Sequence, residues 1–120
     1  MARDISSYVE GWRQKILRER RANEERRQQA LADARNIARF LAENHGVKKV
    51  LGIGSAFQEN RFGPHSDIDL VAEGLPQAGY FALLAEISVL TKFKVDLIPF
   101  ESATALLKQR VAEEGVQLWP

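Results

Sequence analysis

Asp67 and Asp69 flank one apolar residue in the run Ser66-Asp67-Ile68-Asp69-Leu70-Val71-Ala72. The run has the composition of a β-strand, in which residues i and i+2 project from the same face. Both carboxylates then point one way, with Ile68 and Leu70 on the opposite face. Like charges held that close repel, which costs stability unless a cation or a shared proton neutralises them. A divalent metal is the simplest neutraliser, and hard Mg²⁺ prefers carboxylate oxygens. A third carboxylate, Asp96, lies in the apolar run Lys94 to Pro99. If that run is a strand of the same sheet, it can place Asp96 beside the first two. Three carboxylates on one face make a site for one or two Mg²⁺ or Mn²⁺ ions. Such a site can clamp a nucleoside triphosphate and stabilise in-line displacement at phosphorus. Upstream, Gly54-Ser55 ends another apolar run. A Gly-Ser turn leaving a strand can bring backbone N–H groups close to a phosphate.

Each of these residues has a plainer reading. Asp67 and Asp69 can cap a turn, but that leaves Asp96 unexplained. Asp96 can pair with Lys92 or Lys94. Ser55 can cap a following helix, which is compatible with holding phosphate. His65, next to Ser66, invites an acid/base role, yet a loop histidine is more often only solvated. His45 belongs to a helix C-terminus. Trp12 and Trp119 read as packing anchors rather than stacking platforms.

The elements that must position these groups follow from the pattern around them. From Ser6 to Asn44 there is no proline, Gly11 is the only glycine, and good helix formers dominate. Tyr8, Val9, Trp12, Ile16 and Leu17 form one apolar stripe at helical spacing, and Leu31, Ala34, Ile37, Ala38 and Leu41 form another. Between them, Arg18 to Gln29 holds only Ala22 as an apolar residue. Gly46 suits the left-handed position after the helix. One helix of this length runs roughly 55–60 Å, against about 30 Å for a domain of this size. The first stripe therefore overhangs the core or folds back at a break in the polar middle. If it overhangs it needs a partner, most simply a second copy of the chain. After Gly46 the pattern predicts a strand over 47–53, a short helix or loop over 56–64 and a strand over 67–73. A helix over 77–91, a strand over 94–99 and a helix over 101–114 follow. The last five residues read as a short apolar tail packed on the domain. The expected class is α/β (α+β), a small mixed sheet flanked by helices. Residues 1–45 form a long helical segment for oligomer or partner contact, and residues 46–120 form the domain.

The chain has 120 residues, 45% of them hydrophobic, and no cysteine. That is enough for one modest core and excludes disulfides and thiolate metal sites. Met1-Ala2-Arg3-Asp4 leads into a charged segment rather than a signal peptide, and no apolar stretch reaches the length of a membrane span. A reducing cytoplasm fits these features. The net charge of +1 divides into +3 over residues 1–45 (ten Lys/Arg, seven Asp/Glu) and −2 over residues 46–120 (seven and nine). The excess over Arg13 to Arg27 is interleaved with acids, which favours a solvated helix face over a nucleic-acid contact.

Taken together, Gly54-Ser55, Ser66-Asp67-Ile68-Asp69-Leu70 and Val95-Asp96-Leu97-Ile98 resemble the minimal nucleotidyltransferases of the DNA polymerase β superfamily. The closing run Arg110 to Val116 is similar to the usual end of these short domains, and the resemblance covers about residues 47–118. It implies a nucleotidyltransferase fold in which Asp67 and Asp69 hold Mg²⁺ on the triphosphate of ATP or another nucleotide. Asp96 would complete the second metal site and help activate the acceptor hydroxyl. Ser55 and the backbone at Gly54 would hold the terminal phosphates, with Ser66 beside them. Family members of this size are often antitoxins paired with a small helical toxin of the HEPN class, and some transfer AMP onto a tyrosine of that toxin. Two departures stand out. The spacer from Ser55 to Asp67 is eleven residues, one longer than usual. Where the family often reads Gly-Ser-x-Ala-Arg-Gly, Gln58 replaces the arginine and Glu59 the glycine, removing a charge-assisted phosphate contact. Arg61, in the enlarged loop, is a candidate substitute. Two readings follow: a transferase acting on a protein acceptor, or a module that keeps the fold and works by binding nucleotide or masking a toxin.

Overall fold

Nothing in the sequence between Ile5 and His45 breaks a helix, and α1 runs unbroken over those residues. The computed structural model describes residues 5–120, so the reading of Met1 to Asp4 lies outside the described residues. The chain then forms β1 (Lys49–Ile53), a 3₁₀ turn (Ser55–Phe57), β2 (Ile68–Glu73), α2 (Tyr80–Ser88) and β3 (Val95–Pro99). A second 3₁₀ turn (Phe100–Ser102), α3 (Ala105–Glu114) and β4 (Val116–Trp119) complete it. The mixed α/β class and the long leading helix are as expected. Asp67 precedes β2 by one residue instead of opening it. The C-terminal tail, expected only to pack on the domain, is a strand that hydrogen-bonds to β1.

The sheet order is β3-β2-β1-β4. β1 runs antiparallel to both β2 and β4, whereas β2 and β3 are parallel. Strand alternation divides the core in two. Val50, Ile68, Leu70, Ala72 and Leu97 pack with Ala30, Ala34, Ile37, Ala38 and Leu41 of α1 and Leu83 and Ile87 of α2. On the other face Ile53 and Val71 meet Val111 of α3, with Leu51, Ile98 and Leu107 around them. Alanines at three buried positions of α1 let the helix lie close to the sheet. Asp33 is the buried charged residue of α1. It accepts hydrogen bonds from Gln29 Nε2 at 2.9 Å and Thr91 Oγ1 at 2.7 Å, which ties α1 to the segment after α2.

The first stripe overhangs; there is no break. The radius of gyration is 18.5 Å and the long axis 71 Å, against roughly 13–14 Å for the radius of a compact chain of this length. Ile5, Val9, Trp12 and Ile16 stand twenty-five residues before Ala30, Ala34, Ile37 and Leu41 respectively. Twenty-five residues are about seven turns of 3.6, so the exposed stripe faces the same side as the stripe that meets the sheet. Arg27 Nε donates to Ala56 C=O at 3.1 Å, just past the end of β1. The arm before it therefore projects beyond the end of the sheet that carries Gly54. No described helix is long and apolar enough to cross a membrane.

Candidate functional site

The three aspartates converge because of register. The parallel pairing of β2 and β3 sets Asp69 directly against Asp96, and the antiparallel pairing of β1 and β2 sets Asp69 against Ile53. Asp67 lies two residues before Asp69, on the same face by strand alternation. This is the α3 face of the sheet, at the end where β1 stops and β2 begins. Ile68 N–H donates to Lys94 C=O at 2.9 Å, pinning the start of the β2–β3 pair.

Burial pushes the Asp69 carboxyl above the usual carboxylate range, and the charges of Asp96 and then Asp67 push it further. The Arg110 guanidinium acts in the opposite direction. Neither Lys92 nor Lys94 forms an ion pair with Asp96 among the described residues; Lys92 Nζ lies 5.4 Å from the Phe93 ring centre instead. Among the described residues no three carboxylate, imidazole or thiolate side chains are already drawn together as a metal site. The donor chemistry nevertheless suits Mg²⁺ or Mn²⁺. The groups are all carboxylates, Asp69 is partly buried beside the other two, and a divalent cation offsets the mutual repulsion that raises the Asp69 carboxyl.

Gly54 completes the wall opposite. Its backbone (φ 86°, ψ −162°) lies in a region essentially reserved for glycine. A Cβ there would stand 2.8 Å from Asp69 Oδ2 and 3.8 Å from Arg110 Nη2. Absence of a side chain is thus what lets β1 end against the carboxylate. The turn that follows is clamped at Phe57, whose ring lies over Gly52 where a Cβ would meet it at 2.1 Å. Ser55 opens this turn and is half-buried; its C=O accepts from Gln58 N–H at 3.3 Å. Ser66 is occupied in shaping the loop: its Oγ accepts from Gly63 N–H at 2.8 Å. Arg61 is exposed on that loop and joins no ion pair among the described residues, and His65 is exposed beside it. His45 Nε2 lies 3.2 Å from Glu86 Oε2, far from the aspartates in the fold. Trp119 packs on the core, whereas Trp12 is 62% exposed.

Residues 35–120 match the family model described as polymerase beta, nucleotidyltransferase. The chain belongs to that family. Solved structures agree. One is a toxin–antitoxin complex with AMP-PNP, with 26% identity and a TM-score of 0.60 over 71% of this chain and 72% of that one. Another is a mutant of the MntA toxin–antitoxin pair, with 28% identity and a TM-score of 0.59 over 70% and 69%. A third, a tri-AMPylated HEPN toxin of Shewanella oneidensis in complex with its MNT antitoxin, shares the fold. Its identity is 22% and its TM-score 0.53, over 78% and 71%. No curated protein matches. The domain thus has the minimal nucleotidyltransferase fold found in MntA antitoxins, and the arm lies before the part that the family model covers.

Sequence reading gave no role to one residue beside this candidate site. Arg110, on α3, reaches both Gly54 and the field of Asp69. The sequence marked it in two ways, as the first residue of the closing run Arg110 to Val116 and as the only arginine after Arg61, but neither assigns it a role.

Proposed function

We propose that this protein is a Mg²⁺-dependent nucleotidyltransferase that moves AMP from ATP to a hydroxyl of a protein partner, as the antitoxin of a HEPN-type toxin–antitoxin pair. The observation that carries the reading is the juxtaposition of Asp69 and Asp96 in register, with Asp67 two residues away and the bare backbone of Gly54 against them. Asp67, Asp69 and Asp96 would hold the divalent ion, which supplies positive charge to the triphosphate and to the leaving diphosphate. Gly54 and Ser55 present backbone N–H groups to the terminal phosphates. Asp96, on the edge strand and exposed, is the carboxylate open to an incoming acceptor and takes its hydroxyl proton. The likeness to toxin–antitoxin structures, one with AMP-PNP, supports both nucleotide and partner.

The exposed arm fits a second role in assembly. Ile5, Val9, Trp12 and Ile16 alternate spacings of four, three and four, the pattern of a two-stranded helical seam. Pairing with the arm of a second copy covers it. Gln58 and Glu59, where the resemblance leads one to expect arginine and glycine, favour the alternative of a nucleotide-binding or masking module without turnover. Incubation with α-³²P-labelled ATP, Mg²⁺ and a helical toxin of the HEPN class separates the readings. Transfer of label to the toxin, abolished by Asp69→Asn, is expected. Nucleotide binding and toxin neutralisation without any label would refute the transferase and leave the masking module.

A further inference from the structure

We infer that Arg110 of α3 is the cation of the triphosphate site, taking the place of the arginine that the loop after Gly54-Ser55 lacks. This deepens the nucleotide reading above and rests on it. A triphosphate held by Gly54 and Ser55 carries several negative charges into a site already lined by three aspartates. Metal ions offset part of that charge, and a guanidinium is the side chain best suited to the rest. Position 58 does not supply one. Gln58 Nε2 instead donates to Glu114 Oε2 at 3.2 Å. Glu114 Oε2 also accepts from Arg110 Nε at 3.3 Å. Position 58 therefore helps to anchor a cation that comes from another element. With Nε held by Glu114, the far end of the guanidinium lies beside Gly54: Nη2 is 3.8 Å from the point where a Cβ would sit. Among the described residues Arg61 has no comparable anchor.

The position of Arg110 predicts effects of opposite sign on two ligands. Its charge sits near Asp69, so it opposes a bare divalent ion while favouring a polyphosphate. Substitution for Ala should weaken ATP and inorganic tripolyphosphate, each with Mg²⁺, by roughly tenfold to a hundredfold, the loss of one or two charge-assisted hydrogen bonds. AMP should change by less than about twofold, and Mn²⁺ alone should bind the variant more tightly than wild type. Arg110→Lys should recover part of the triphosphate affinity through charge without the fork. Isothermal titration of the full chain measures all four. A merely structural role for Arg110 would weaken every ligand together, and would overturn the assignment. If wild type binds ATP and tripolyphosphate and Arg110→Ala binds them equally well, Arg110 is refuted while the nucleotide reading stands. If wild type binds neither, the nucleotide reading falls and Arg110 falls with it.

Discussion

Gly54→Ala is the single methyl that most directly tests how the site is built. Two costs add at this position. The backbone conformation (φ 86°, ψ −162°) is one that L-residues adopt at about 1–3 kcal/mol. The new Cβ also meets Asp69 Oδ2 at 2.8 Å, a separation that side-chain carbons do not tolerate. Register with Asp96 fixes the Asp69 backbone, so the contact is relieved only by turning the carboxylate about its own side-chain bonds, out of its place beside Gly54. We expect a total of about 2–4 kcal/mol, a large part of the marginal stability of a domain this size. The melting temperature should fall by roughly 8–20 °C. Gly46→Ala is the control. Gly46 also has positive φ, 66°, but a Cβ there meets nothing within 4 Å. It should cost only the backbone term, about 1 kcal/mol. Thermal unfolding followed by circular dichroism compares the two. Equal losses for Gly46→Ala and Gly54→Ala would refute the argument that Gly54 is required by the carboxylate rather than by the turn alone.

Asp69→Asn should raise stability at neutral pH in chelator. Folding raises the Asp69 carboxyl above its unfolded value, so its favourable contribution exists at acid pH and is lost as pH rises through the folded value. The variant should melt above wild type at neutral pH and together with it at acid pH, in differential scanning fluorimetry across a pH series; a variant that melts lower throughout would contradict this. Adding Mg²⁺ to the same samples should stabilise wild type and leave the variant unmoved. Tyr80→Phe removes a hydroxyl that donates to Leu97 C=O on β3. It should cost about 1 kcal/mol in urea unfolding, and a neutral result would show that the bond contributes nothing. Deleting residues 1–18 should leave a folded monomer, because the residues buried in α1 begin at Ala30. The intact chain should sediment as a dimer, and a monomeric intact chain at high micromolar concentration would dispose of the arm–arm contact.

The sequence by itself determined whatever depends on neighbours along the chain. Uninterrupted helix formers dictated α1, because its backbone bonds close within four residues. Short apolar runs dictated β1, β2 and β3, and strand alternation placed Asp67 and Asp69 on one face. Gly54 before Ser55 and Gly46 after the helix were legible because backbone conformation is a local property. Tertiary structure alone decided what depends on groups far apart in sequence. The tail from Val116 to Trp119 became a strand because β1 offered an open edge, not because four residues have a strong preference of their own. Whether the polar middle of α1 would bend was likewise unsettled locally; unbroken, it carries the Tyr8–Leu17 stripe beyond the sheet. Asp96 met Asp69 through the parallel register of β2 and β3, which side-chain packing on both faces of the sheet sets. Arg110 could not be found from spacing. It reaches Gly54, fifty-six residues earlier, only because Val111 and Leu107 dock α3 on Ile53 and Val71 and turn the next side chain toward the end of β1.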